Sequence, residues 1–246
     1  MAEEKAESIK KPGFAIDTAL LPEENAEALS AKNDGKSLLI LVGIVIGLFL
    51  LLFAGFRAYN SLTSASVVSI DDLHQQNLDG ELDEDYEGYV YNGYSFVKVD
   101  GLWWTEMNKF GTLYKAPLHF APRELEEIQI NGTLGSAFNE GDAVYVTIDP
   151  TVRDKYYTLA ISELSFNIVQ GMDRTPVGSC TQENEACDNR TIISCETANG
   201  RPTIELAVGP GPEITLQSSC IKIRGTEYGI VKAVDRLLYQ WFGIMD

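Results

Sequence analysis

Cys180, Cys187, Cys195 and Cys220 are the residues best suited to covalent chemistry, with six, seven and twenty-four residues between successive members. No two of them form Cys-x-x-Cys, so the spacing fits neither a zinc knuckle nor a dithiol redox centre. An even number of cysteines fits two structural disulfides formed in an oxidising compartment. Of the three possible connectivities, Cys180 with Cys187 closes a short surface loop, and Cys195 with Cys220 ties the following segment to a strand.

The other reactive side chains are sparse. The only histidines are His74 and His119, and neither neighbours a candidate nucleophile in sequence. Gly-x-Ser-x-Gly, His-Glu-x-x-His and phosphate-cradling glycine loops are missing. A catalytic site would therefore have to be assembled from scattered carboxylates such as Glu163 and Asp235. The alternating acids Asp79, Glu81, Asp83, Asp85 and Glu87 imitate calcium-loop spacing, but Glu84 stands where the EF-hand turn needs glycine, so they read as solvated chain. No motif calls for a metal or a cofactor. Asn131-Gly132-Thr133 and Asn189-Arg190-Thr191 match the N-glycosylation acceptor, at a frequency that chance also supplies.

The segment Ser37 to Phe56 places all of these on one side of a barrier. It has twenty residues, none charged, bracketed by Lys36 and Arg57. At ~1.5 Å per residue a helix of this length crosses the ~30 Å hydrocarbon core with its backbone hydrogen bonds satisfied internally. It is apolar on every side, unlike the core helix of a soluble domain. Thr63-Ser64-Ala65 could serve a signal peptidase, yet the apolar run is longer than a cleaved leader's and 36 residues precede it, so an uncleaved signal anchor is expected. Lys32 and Lys36 before the span, against Arg57 after it, orient the N-terminus toward the cytoplasm. Gly43, Gly47 and Gly55 share one stripe of the span. Small residues there let two helices approach closely, which fits a homodimer and equally fits the ordinary glycine content of such spans.

The net charge of −17 falls mainly on the C-terminal part: residues 1–36 carry −3, residues 37–56 carry none, and residues 57–246 carry the remaining −14. So acidic a domain repels phosphate backbones, which excludes nucleic acid as an expected partner.

Four regions follow: a disordered cytoplasmic tail at 1–36, the transmembrane helix at 37–56, an acidic stalk at 57–85 and a folded extracytoplasmic domain at 86–246. Within the last, Asn92-Gly93 and Asp100-Gly101 sit between runs of β-formers, which predicts a meander that continues through a strand over Thr112 to Phe120. Of the adjacent Trp103 and Trp104, one is expected in the core and the other on the opposite face. Val144 to Ile148 alternates as a strand, and Asp149-Pro150 reads as a helix start. Tyr157, Ile161, Leu164 and Ile168 then share a face, with Gly171 as the stop. Strands at Thr203–Val208, Glu213–Gln217 and Cys220–Arg224 lead into a second helix with the stripe Ile230, Val234, Leu237, Leu238 and Trp241. The expected fold is α+β, a mostly antiparallel sheet with two amphipathic helices on one face.

The functional expectation is a membrane-anchored binding or envelope-assembly protein that meets a protein or glycan outside the cell. The competing expectation is a tethered hydrolase built on scattered carboxylates. A pocket with converging carboxylates would favour the second, and a shallow binding surface the first.

Overall fold

The computed structural model describes residues 34–63, 69–109 and 111–246, in two compact units that divide after Ser66. The tail expected at 1–36 lies outside the described residues as far as Asn33, as does Ser64-Ala65.

The first unit contains helix α1, Asp34–Thr63. Its segment Leu38–Tyr59 is long and apolar enough to cross a membrane, and none of that segment is buried. A Cβ added at Gly43, Gly47 or Gly55 would meet nothing within 4 Å, so the glycine stripe is open.

The second unit is α+β. Among its described residues the strands form two sheets. The smaller is an antiparallel meander, β1 (Gly88–Tyr91), β2 (Tyr94–Val99), β3 (Leu102–Lys109) and β4 (Thr112–Leu118). Its first two turns are set by chemistry: Asn92-Gly93 and Asp100-Gly101 all take positive φ, the mirror-image turn that matches strand twist. Alternation along β3 buries Trp103, Thr105 and Met107 on one face and turns Trp104 and Glu106 to the other.

The larger sheet corrects the expectation of a mostly antiparallel one. Its strands are β5 (Ile130–Leu134), β6 (Ala143–Ile148), β7 (Thr175–Cys180), β8 (Thr191–Ile192), β9 (Thr203–Val208), β10 (Glu213–Ser218) and β11 (Cys220–Gly225). Their order is β5-β10-β11-β9-β6-β7-β8, and of the six neighbouring pairs only β10 with β11 is antiparallel. Parallel pairing arises because β6 returns to β7 through helix α3, Lys155–Met172, a crossover that brings the chain back in the same direction. Helix α4, Tyr228–Trp241, follows β11.

Helices α3 and α4 lie side by side between the two sheets. Phe96 of β2 meets Tyr239 of α4 edge-on, Tyr114 of β4 bonds Asn167 of α3, and Ile204, Leu206, Ile221 and Ile223 of the larger sheet join the same buried core. Gly171 does not stop α3. The cap is Asp173 in the left-handed region, and Gly171 is instead a close contact, where a Cβ would stand 2.7 Å from the Phe242 ring. The start of α3 also shifts: Asp154 caps it, while Asp149 closes a turn onto Thr151.

The acidic stalk expected at 57–85 is shorter than the sequence suggests. Residues Ile70–Leu78 form helix α2, capped by Ser69 and seated on the outer face of the smaller sheet. Asn77 donates to the carbonyls of Tyr89 and Phe96 and to Ser95, and His74, read as a stalk residue, is buried against Ser95.

Both disulfides pair as the spacing suggested, Cys180 with Cys187 and Cys195 with Cys220. The second pins the chain around Ile193 to Ala198 over the face of the larger sheet that points away from the helices. There Thr147 donates to the Ile193 carbonyl at 2.6 Å, and Glu205 accepts the Cys195 N–H at 2.7 Å while pairing with Lys222.

Candidate functional site

Glu163, Asp235 and His119 are brought together by the packing of α3, α4 and the end of β4. Each acid interrupts the apolar face of its helix: Glu163 lies between the buried Ala160 and Leu164, and Asp235 between Val234 and Leu237. Pro122 ends the extended run after β4, which leaves the His119 and Phe120 N–H groups pointing at the helices instead of at a further strand. Glu163 accepts the His119 N–H at 3.1 Å and holds the imidazole Nδ1 at 2.9 and 3.0 Å. Asp235 accepts the Phe120 N–H at 2.9 Å, and the Tyr239 hydroxyl donates to the Phe120 carbonyl, also at 2.9 Å.

The electrostatics follow from burial. Asp235 has no solvent exposure, so its carboxyl is pushed well above the usual carboxylate range, first by burial and then by the Glu163 charge beside it. The Glu163 carboxylate raises the His119 pKa by hydrogen bonding, against the opposing effect of burial. The arrangement is thus an acid, a carboxylate and an imidazole that can hold and pass a proton.

It offers little to a substrate. Glu163 is 5 % exposed and Asp235 fully covered, so only His119, 28 % exposed, reaches solvent. The Tyr239 hydroxyl beside the cluster is buried and committed to a carbonyl, and its pKa is raised well above the usual phenol range by burial. Converging carboxylates are present, but they are sealed. The arrangement braces the smaller sheet against both helices.

A different place is open. A cleft of about 600 Å³ lies where β6 and β7 end, walled by the first turns of α3 and by the Cys180–Cys187 loop. In open sheets with parallel strands, such carboxyl-terminal crevices are where ligands settle. Its surface is mostly apolar, with Ile148, Val152, Tyr157, Ile161 and the disulfide, and it also includes the cations Arg153, Lys155 and Arg190. Its two acids are occupied: Asp149 accepts from Thr151 and Gln182, and Asp154 accepts the Tyr157 N–H as helix cap. The hydrogen bonds from Thr151 hold the Asp149 carboxyl below the usual range. A cleft of this kind shelters an apolar group and supplies no poised base.

Of the other sequence candidates in this unit, Cys180 and Cys187 line the cleft, and the two sequons lie on the surface. Asn131 is exposed on β5, an edge strand, and Asn189 is exposed in a left-handed turn beyond Cys187. Trp103 enters the core beside Tyr89, so the aromatic meander is mostly internal packing. Periodicity found Tyr157 and Ile161 as part of the α3 stripe but not the cleft itself, because the rest of its wall comes from the loop after β6 and the Cys180–Cys187 loop. The acid cluster did carry a sequence signal, an Asp or Glu standing inside an otherwise apolar helical stripe.

No protein-family model matches this chain, and no match was found among curated proteins or among solved structures.

Proposed function

We propose that this chain is a membrane-tethered extracytoplasmic protein that works by binding, with the cleft at the ends of β6 and β7 as its ligand-facing surface. The observation that carries the reading is the contrast between the two sites. The carboxylates able to take up a proton are sealed, with His119 alone of that cluster reaching solvent, and the open cleft is mostly apolar with its acids already engaged. A cleft of several hundred Å³ is large enough for a side-chain cluster or a sugar-sized group of a partner outside the cell.

In this reading α1 anchors the chain with its N-terminus in the cytoplasm, and the acidic folded unit stands outside, where its four cysteines oxidise. The glycine stripe of α1 supports a homodimer in the membrane.

Complementation of a strain lacking the protein tests the proposal. Ile161→Trp, which fills the cleft, is expected to abolish rescue while the protein remains folded and membrane-bound. The paired change His119→Asn with Glu163→Gln is expected to rescue. The reverse pattern overturns the binding reading and supports a hydrolase based on His119, Glu163 and Asp235. Thiol alkylation before and after reduction, on protein from its native membrane, tests the topology, and four free thiols would refute it.

A further inference from the structure

Helix α2 is held to the folded unit by contacts that cannot accommodate one additional proton. It has only nine residues and joins no sheet, so it stays in place through its side chains. Asn77 supplies three of these bonds, to Tyr89 O at 3.0 Å, Phe96 O at 3.2 Å and Ser95 Oγ at 2.7 Å. The fit is close, since a Cβ on Gly88 would stand 3.0 Å from the Asn77 amide oxygen.

His74, one turn earlier, is 4 % exposed. Its Nδ1 lies 2.8 Å from Ser95 Oγ, and its Nε2 is buried with no hydrogen-bond partner among the described residues. A neutral ring tolerates this with Nε2 as an unmet acceptor. A protonated ring places an N–H donor and a charge where the described residues offer no acceptor, at the cost of burying an unpaired ion.

The elements around it offer no relief. Strand β1 contributes Gly88 and the Tyr89 carbonyl, which Asn77 already uses, and β2 contributes Ser95 and the Phe96 carbonyl. The charged groups are Asp71 on α2 itself, Lys115 on β4 and Glu106 on β3. Lys115 pairs with both Asp71 and Glu106, so the carboxylate that could favour a cationic His74 is already neutralised and the nearest cation opposes it.

We propose that α2 is an acid-released latch, docked on the smaller sheet while His74 is neutral and detached when that imidazole takes up a proton. Burial, followed by the Lys115 charge, lowers the His74 pKa to about 4 from its ordinary 6.5. The detached helix has the ordinary value. Between pH 6.5 and 4 the detached form binds the proton far better, so acidification favours detachment, by about 100-fold in the docking equilibrium from pH 7 to pH 4. Detachment transfers residues 69–82 to the chain that joins the folded unit to α1, while Glu84 stays paired with Arg123 and the Glu87 carbonyl keeps the Lys98 N–H. That segment reaches up to ~50 Å when extended. The consequence is a tether that lengthens in acid, whatever the folded unit binds.

The test is hydrogen exchange of the full chain in lipid nanodiscs from pH 7 to pH 4, corrected for the intrinsic pH dependence of exchange. Protection of residues 70–78 is expected to fall by about two orders of magnitude, while β9 and β11 keep theirs. His74→Gln, which cannot titrate, is expected to remove the fall. Lys115→Met, which breaks the rim pairs, is expected to retain a pH-dependent fall. Equal loss of protection in α2 and the core strands, or an unchanged slope in His74→Gln, overturns the latch.

Discussion

Removing Cys195–Cys220 should destabilise the folded unit more than removing Cys180–Cys187, and the difference can be worked from the chain. The bridges join residues 25 and 7 apart. Loop-closure entropy, −2.1 − 1.5R ln n, gives about 3.5 kcal/mol for the longer loop and about 2.4 kcal/mol for the shorter at 25 °C. The estimate assumes that the native state stays unchanged, and the structure supports this for the longer loop. Ile193 and Ala198 remain buried, and the bonds from Thr147 to the Ile193 carbonyl and from Cys195 N–H to Glu205 do not depend on sulfur. Urea denaturation of the full chain in detergent micelles, followed by tryptophan fluorescence, measures both double Cys→Ala variants. Melting temperatures should fall by roughly 7 to 14 °C for Cys195/Cys220 and by roughly 5 to 10 °C for Cys180/Cys187. If the shorter loop proves the more costly, or both losses stay within about 0.5 kcal/mol, then chain entropy is not what these bridges contribute.

Other expectations concern single positions. Burial and the neighbouring Glu163 raise the folded Asp235 pKa above its unfolded value near 3.8, so its effect on stability worsens as pH rises above 4. Asp235→Asn should gain about 1.4 kcal/mol per pH unit relative to the parent until the folded group itself ionises, as seen in urea midpoints across pH. His119, raised by Glu163, adds stability that is complete below pH 6.5 and is lost as pH climbs through its folded value, so His119→Asn should be penalised most in acid. Gly225→Ala would set a Cβ 2.4 Å from the Ile230 backbone nitrogen and should cost about 2 to 4 kcal/mol in thermal or urea unfolding, because backbone rather than a mobile side chain must yield. In the membrane, Gly43→Leu with Gly47→Leu should reduce self-association in detergent crosslinking by tenfold or more, and an unchanged oligomer would remove the dimer from the proposal.

Local chemistry made much of this protein legible. The apolar run within 37–56 set a helix because nothing in it needs water. Asn92-Gly93 and Asp100-Gly101 set the first two turns of the meander because those residues accept positive φ cheaply. The cysteine spacing favoured the pairing that the fold adopts, since a loop of 7 residues closes easily and the other pair then remains. Even the acid cluster left a trace, as Glu163 and Asp235 interrupt apolar stripes.

What only the tertiary structure decided was which strands meet and in which direction. Strand β7, Thr-Pro-Val-Gly-Ser-Cys, has weak β-propensity and is a strand because α3 delivers it beside β6, so the parallel sheet was hidden from any local reading. Helix α2 was equally hidden: Ile70 to Leu78 is polar enough to pass for linker, and it docks through Asn77 and His74 rather than through an apolar face. The meeting of His119 with residues 44 positions away on α3 and the cleft between β7's loop and α3 belong to the same class. Turns, caps and the membrane span depend on neighbours in sequence, whereas sheet order and the two candidate sites depend on contacts whose chain-closure cost is recovered only when the whole core forms.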